Sequence, residues 1–186
     1  MTEFIGLSGF ARSGKDTAAD YLVKNHGFTR ISFADPMREA LLALDPNVSF
    51  GISSIKISTL VRLGGWDTVK EDYPEVRELL QRMGTEVGRN LFGKDFWVDR
   101  AFKKAEQYDK VVFSDCRFIN EADAVTAHGG SVWRINRAGL LAPNNHVSEK
   151  ELNDYNFNVI FNNDGTLEDF YNNIERHLEL KCLIKE

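Results

Sequence analysis

The segment Gly9-Phe10-Ala11-Arg12-Ser13-Gly14-Lys15-Asp16-Thr17 constrains this chain more than any other. It follows the apolar run Phe4 to Ser8 and opens a helical pattern from Thr17 to Asn25. Strand, glycine-rich turn, lysine and helix, in that order, describe a phosphate-binding loop. The glycines let the backbone turn tightly and aim several N–H groups at one point. The helix N-terminus adds positive potential there. The N–H groups of this loop are therefore candidate phosphate contacts, with Lys15 reaching the β- and γ-phosphates. A plain glycine-rich turn followed by a capped helix is the competing reading.

In the usual loop a Ser or Thr follows the lysine and its hydroxyl meets Mg²⁺. Here Asp16 follows Lys15, and Thr17 comes one place later. Asp16 is read as holding the cation through a bound water or, alternatively, as a helix cap. Thr17 is a candidate for the metal side or for an α-phosphate. Asp115 ends the apolar run Lys110 to Ser114, at the sheet edge where α/β proteins bind ligands. An acid there can hold a Mg²⁺-bound water, so Asp115 joins Asp16 and Thr17 as a metal candidate; a turn cap is its other reading. Arg117 lies two residues on. Glu121 is read as orienting Arg117 or as a solvated helix position.

Further strand candidates are Thr29 to Phe33, Ser131 to Ile135 and Phe157 to Phe161. Apolar strands separated by helices predict an α/β fold with a mostly parallel sheet covered on both faces. Asp35-Pro36 opens a helix whose Met37, Leu41 and Leu44 share a face. Val76, Leu79, Leu80, Met83, Val87 and Leu91 draw one helical stripe. Asn120 to His128 is another helix. A last one carries Leu167, Phe170, Tyr171, Ile174 and Leu178, opened by a Thr166/Asp169 capping box. About eighty residues between the second and third strands read as helices and loops, far more than a crossover needs. They predict an inserted helical lobe, about 35–109, within one domain spanning 1–186. The polar stretch from about 137 to 154 predicts a mobile loop.

Arg134 and Arg137 stand at the base of that loop, where arginine can stabilise a transferring phosphoryl group; a solvated pair is the alternative. Arg38, Lys70 and Arg77 suggest a pocket for a second phosphate in the helical lobe. The charge sum, 23 − 28 = −5, argues against a broad nucleic-acid surface and leaves room for local basic pockets. Cys116 and Cys182 lie far apart, and the four histidines show no metal-ligand spacing. A reducing cytoplasm is the expected setting. Met1-Thr2-Glu3 runs directly into the first strand, and no apolar run approaches membrane length, so neither a span nor a secretory signal is expected.

Several blocks resemble the phage deoxynucleoside monophosphate kinases: Arg12 to Thr17, Leu79-Leu80-Gln81-Arg82-Met83-Gly84-Thr85-Glu86, Phe96-Trp97-Val98, Val112 to Arg117 with Asn120-Glu121, and Arg134 to Gly139. His146-Val147-Ser148-Glu149 and Asn162 to Glu168 extend the series. The resemblance implies a P-loop three-layer fold with a five-stranded parallel sheet, a helical acceptor-binding lobe and a lid. It implies ATP- and Mg²⁺-dependent phosphorylation of deoxynucleoside monophosphates, and the host cytoplasm as the setting of a phage-encoded chain. It places Arg12 to Thr17 on the ATP phosphates and Arg137 in the lid. Gly84, Thr85, Trp97, Asp115, Arg117 and Glu121 would border the acceptor, with Arg38 and Lys70 nearby. Trp97 is either a platform for the base or a core aromatic. Lys15, Arg12, Arg137 and Asp115 are the expected catalytic set. Ala11 and Ala138 depart from the family pattern, which can carry a basic residue and a proline there. The rivals are another small-molecule P-loop kinase, similar to dephospho-coenzyme A kinase, a nucleotide-dependent ATPase or switch, and a non-catalytic binding module. A homodimer is left open.

Overall fold

The computed structural model describes residues 2–140 and 151–183, with side chains to residue 180. Most of the predicted loop at 137–154, including His146 to Glu149, lies outside the described residues. The chain divides into two compact units, residues 1–33 with 102–186, and residues 34–101.

The first unit is built on five parallel strands: β1 (Glu3–Ser8), β2 (Thr29–Ile31), β5 (Lys110–Phe113), β6 (Ser131–Asn136) and β7 (Val159–Asn162). Their order is β2-β5-β1-β6-β7, and the parallel pairing is what the alternation of apolar runs and helices predicts. The central strand β1 has every residue from Phe4 to Ser8 buried. Its alternation divides the core. Ile5 and Leu7 meet Ala18 and Leu22 of α1 (Lys15–His26), and Phe170 and Ile174 of α7 (Leu167–Leu183). On the opposite face Phe4 meets Phe102 edge-to-face and stacks on Phe113. Gly6 lies against Val125 of α6 (Ile119–Ala127). A sheet buried on both faces needs such continuous apolar strands, and truncating one of these side chains costs about 2–5 kcal/mol. From β1 the chain crosses to β2 on one side, and from β6 to β7 on the other. The connections thus diverge between β1 and β6, the place where α/β sheets open a ligand crevice.

The α7 entry forms as predicted. Thr166 N–H donates to Asp169 Oδ2 at 3.0 Å, and Asp169 N–H to Thr166 Oγ1 at 3.2 Å. The Thr166 hydroxyl and amide hold the Asp169 carboxyl below its usual range. Strand β7 begins two residues later than predicted, at Val159; at Asn158 the N–H still donates to Val132 O at 3.1 Å, but the side-chain Oδ1 rather than the main chain accepts the Val132 N–H, at 2.7 Å.

The second unit contains α2 (Asp35–Leu44), α3 (Ile57–Asp72, broken at Gly65), α4 (Pro74–Arg82), a π-helical segment Met83–Phe92, and the start of α5 (Phe96–Ala105). Leu41, Ile57, Leu60, Val69, Val76 and Leu80 form its core. Two expectations are corrected here. The stretch includes an antiparallel hairpin, β3 (Asn47–Phe50) with β4 (Ser53–Lys56), which pairs Val48 with Ile55. The stripe from Val76 does not continue as one α-helix. Beyond Met83 the wider π turn rotates the later positions away, leaving Leu91 72% exposed while Val76 and Leu80 stay buried. Among the described residues no helix is long and apolar enough to cross a membrane.

Candidate active site

The glycine-rich loop leaves β1 at Ser8 and enters α1 at Lys15. Gly9 (φ +147°) and Gly14 (φ +110°) take backbone conformations that a side chain resists. Arg12 also has a positive φ of 66°, so the turn carries strain at a non-glycine residue, as functional loops often do. Lys15 is buried to 8% exposure, and its Nζ donates to the Gly9 and Phe10 carbonyls at 2.7 and 2.8 Å. The ammonium therefore lies inside the loop rather than in solvent. The Ser13 side chain is 1% exposed, and its hydroxyl has no hydrogen-bond partner among the described residues. A buried unsatisfied hydroxyl is costly, so it fits a ligand oxygen at this point. From the β7 side, Asn163 Nδ2 donates to Ser13 O at 2.9 Å and packs on Gly14, while its N–H donates to Asn136 O at 2.8 Å.

Asp16 sits in the first turn of α1, and its carboxylate pairs with Arg30, which also reaches Asp20 at 3.0 Å. Thr17 is half-buried beside it. Asp115 follows β5. There Ser114 N–H donates to Ile31 O and Cys116 N–H to Leu7 O, both at 3.0 Å, extending the pairing past the strand end. The Asp115 carboxylate accepts the Ser32 hydroxyl and the Phe33 N–H, the latter at 2.7 Å. Glu121 is buried, not solvated, and Oε2 takes the backbone N–H groups of Arg117 (2.7 Å) and Phe118 (3.1 Å). It shapes the turn carrying Arg117 through the main chain. Burial, with Glu121 and Asp115 close by, pushes the Cys116 thiol well above its usual range, so it stays protonated and makes a poor nucleophile.

Ser8, Gly9, Phe10, Ala11, Arg117 and Arg134 border one cleft at the carboxyl edge of the sheet. Arg134 pairs in register with Ser8 across β1 and β6. Arg137 is exposed just past β6, and the next N–H, of Ala138, donates to Asp164 Oδ1 at 2.5 Å. Arg12 to Thr17, Asp115, Arg117, Glu121, Arg134 and Arg137 thus all belong to the first unit. Sequence reasoning missed the supports Arg30, Ser32, Asn163 and Asp164. Of these only Asn163 and Asp164 carry a signal, as part of the block Asn162 to Glu168 that shares the family resemblance.

The remaining candidates belong to the second unit. Arg38 pairs with Asp35 at 3.3 Å and lies 5.9 Å from the Trp66 ring. Lys70 pairs with Asp67 at 2.8 Å. Thr85 is exposed on the π-helical segment. Trp97 Nε1 donates to Gly84 O at 3.1 Å. Its indole occupies the space where a Cβ at Gly88 would stand, 1.9 Å from Nε1. Gly88 thus admits the indole, and one edge of Trp97 is committed to packing.

A family model for deoxynucleotide monophosphate kinase matches residues 65–174. A protein of Acanthamoeba polyphaga mimivirus, provisionally named a deoxynucleotide monophosphate kinase, is 34% identical, with 91% of this chain and 93% of that protein covered. The deoxynucleotide monophosphate kinase of Enterobacteria phage T4 is 24% identical over 96% of this chain and 99% of its own length. That of Escherichia phage RB69 is 25% identical over 95% and 99%. A solved APS kinase structure from Mycobacterium tuberculosis aligns with a TM-score of 0.43 and 11% identity, covering 96% of this chain and 97% of that one, a likeness too slight to argue from. On the extent and identity of the sequence matches, this chain belongs to the deoxynucleotide monophosphate kinase family.

Proposed function

We propose that the chain transfers the terminal phosphoryl group of ATP directly to the phosphate of a deoxynucleoside monophosphate, giving a diphosphate. The observation that carries this reading is the strained loop enclosing the Lys15 ammonium and the unpartnered Ser13 hydroxyl, in a chain of this family. The acceptor phosphate is already ionised at neutral pH, so no general base is needed. Positioning and charge neutralisation carry most of the work. Lys15 and Arg12 neutralise the donor phosphates, and Arg137 and Arg134 serve from the end of β6. Asp115 and Arg117 serve the acceptor side. Gly84, Thr85, Trp97, Arg38 and Lys70 assign acceptor recognition to the helical unit. A lid over about 137–154 would exclude water and suppress hydrolysis.

The oxygen donors Asp16, Thr17 and Asp115 suit Mg²⁺, which takes few protein ligands and keeps its waters and phosphate oxygens. When bound, the cation supplies charge neutralisation of the phosphates. The pairing of Asp16 with Arg30 makes its part testable. Asp16→Ala is expected to raise the Mg²⁺ concentration giving half-maximal rate, while Arg30→Met leaves that requirement in place. An unchanged requirement in Asp16→Ala assigns the carboxylate to Arg30 alone.

The reaction is tested by coupled ADP release across matched ribo- and deoxynucleoside monophosphates. The deoxy form is expected to be preferred, with more than one base accepted. Excluding a 2′-hydroxyl by burying it unpaired costs about 1–3 kcal/mol, or roughly 5- to 150-fold in efficiency. Activity confined to a non-nucleotide acceptor would transfer the reading to another small-molecule kinase. ADP release without any acceptor would favour an ATPase.

A further inference from the structure

The Arg134 guanidinium is held from several sides within the first unit. Its carbon lies 4.8 Å from the centre of the Phe10 ring and 5.5 Å from that of Phe157. Its Nη1 donates to Ser8 Oγ at 3.3 Å, and its Nε to Asn136 Oδ1 at 3.2 Å. These contacts come from four places in the chain. Phe10 is in the phosphate loop, Ser8 ends β1, Asn136 ends β6, and Phe157 precedes β7. Arg134 itself is half-buried and borders the cleft shared with Gly9, Ala11 and Arg117.

The chemistry of these four contacts has a common character. An aromatic face attracts a guanidinium through its quadrupole, and a hydroxyl or amide oxygen accepts its N–H groups. Each of these four fixes the group's orientation through a neutral atom or ring face. A long flexible side chain otherwise loses conformational freedom whenever it meets an anion. A guanidinium already held at the cleft wall avoids that loss, the condition for electrostatic stabilisation without reorganisation.

We propose that Phe10 is a positioning residue: its ring, with that of Phe157, clamps the Arg134 guanidinium at the cleft wall and presents its charge to a phosphate bound on the loop. The inference rests on the phosphoryl-transfer reading for its consequence, and on the stacking geometry for its existence. It gives the second residue of the loop a task beyond turning the chain. The Phe10 carbonyl serves Lys15, while the Phe10 ring serves Arg134.

The test has two parts on the full chain. The first is NMR of the Arg134 Nε–Hε group in the protein alone. Ring currents should displace this resonance, and Phe10→Leu should move it toward the position of a solvent-exposed arginine, while Phe10→Tyr keeps it displaced. The second is a double-mutant cycle on kcat/KM with Phe10→Leu and Arg134→Gln, melting temperatures measured alongside. Phe10→Leu is expected to lower kcat/KM about tenfold, within the range of a desolvated cation–π contact. It should have little further effect once Arg134 is Gln, and Phe10→Tyr should restore most of the rate. An unmoved Arg134 resonance in Phe10→Leu, or additive effects in the cycle, overturns the clamp. If the wild-type chain transfers no phosphoryl group, the functional reading fails and the NMR result alone decides the clamp.

Discussion

Lys15→Ala is expected to lower turnover by about 10²–10³-fold in a protein that remains folded, equivalent to about 3–4 kcal/mol of transition-state stabilisation. The ammonium is enclosed by its own loop, 2.7 Å from the Gly9 carbonyl and 2.8 Å from that of Phe10. A buried cation in such a setting serves two ends. It ties the two carbonyls together, and it supplies a positive charge where phosphate oxygens would gather. The first contribution is modest, since a hydrogen bond to a charged group is worth about 1.5–3 kcal/mol in stability. The second acts on the reaction. The two separate in the data, because loop support shows as a lower melting temperature and charge as a loss of kcat. Turnover close to that of the wild type in folded Lys15→Ala would remove the loop from the mechanism. A rise in KM with kcat unchanged would reduce the lysine to ground-state binding.

Much of this arrangement is legible in the sequence because the determinants are local. Gly9, Gly14 and Lys15 stand at fixed spacing between an apolar run and a helix, and each has its effect within its own turn. The same holds for Thr166 with Asp169, whose capping box needs only a three-residue spacing. The parallel pairing follows once the apolar runs are found, since strands joined by helical crossovers run the same way. What escapes is carried by contacts across long sequence separations. Nothing near Ser13 announces that Asn163 will support it, 150 residues on. Nothing near Asp115 announces the Ser32 hydroxyl and the Phe33 N–H. The break in the stripe after Met83 has a similar origin. Apolar spacing alone continues to Leu91, but the Trp97 indole takes the space beside Gly88, and the segment winds as a π-helix. The hairpin at Asn47–Lys56 hides because each arm has four residues and only Val48 is fully buried.

Gly9→Ala should abolish activity and destabilise the fold, whereas Gly27→Ala should do little beyond straining one turn. Both residues have positive φ, +147° and +69°, so both substitutions incur a backbone penalty. That shared penalty is about 1–3 kcal/mol. Their surroundings differ. A methyl at Gly27 meets nothing within 4 Å, and the turn after α1 lies away from the cleft. A methyl at Gly9 would stand 2.4 Å from the Ile135 carbonyl oxygen and 2.6 Å from Ser13 Oγ. Ile135 is backbone of a buried central strand and cannot move aside without disturbing β6. The loop must shift instead, and with it the Gly9 carbonyl that accepts from Lys15. A displacement on the order of 1 Å at a reacting group can cost 10²-fold in rate. Thermal melts and turnover of the two variants, measured side by side, separate the effects. Gly27→Ala is expected to shift the melting temperature modestly with kcat near wild type. Gly9→Ala is expected to lose both, with the loss of rate exceeding what its residual folded fraction explains. Equal behaviour of the two variants would mean that positive φ alone matters, and that the close approach of β6 to the loop sets nothing.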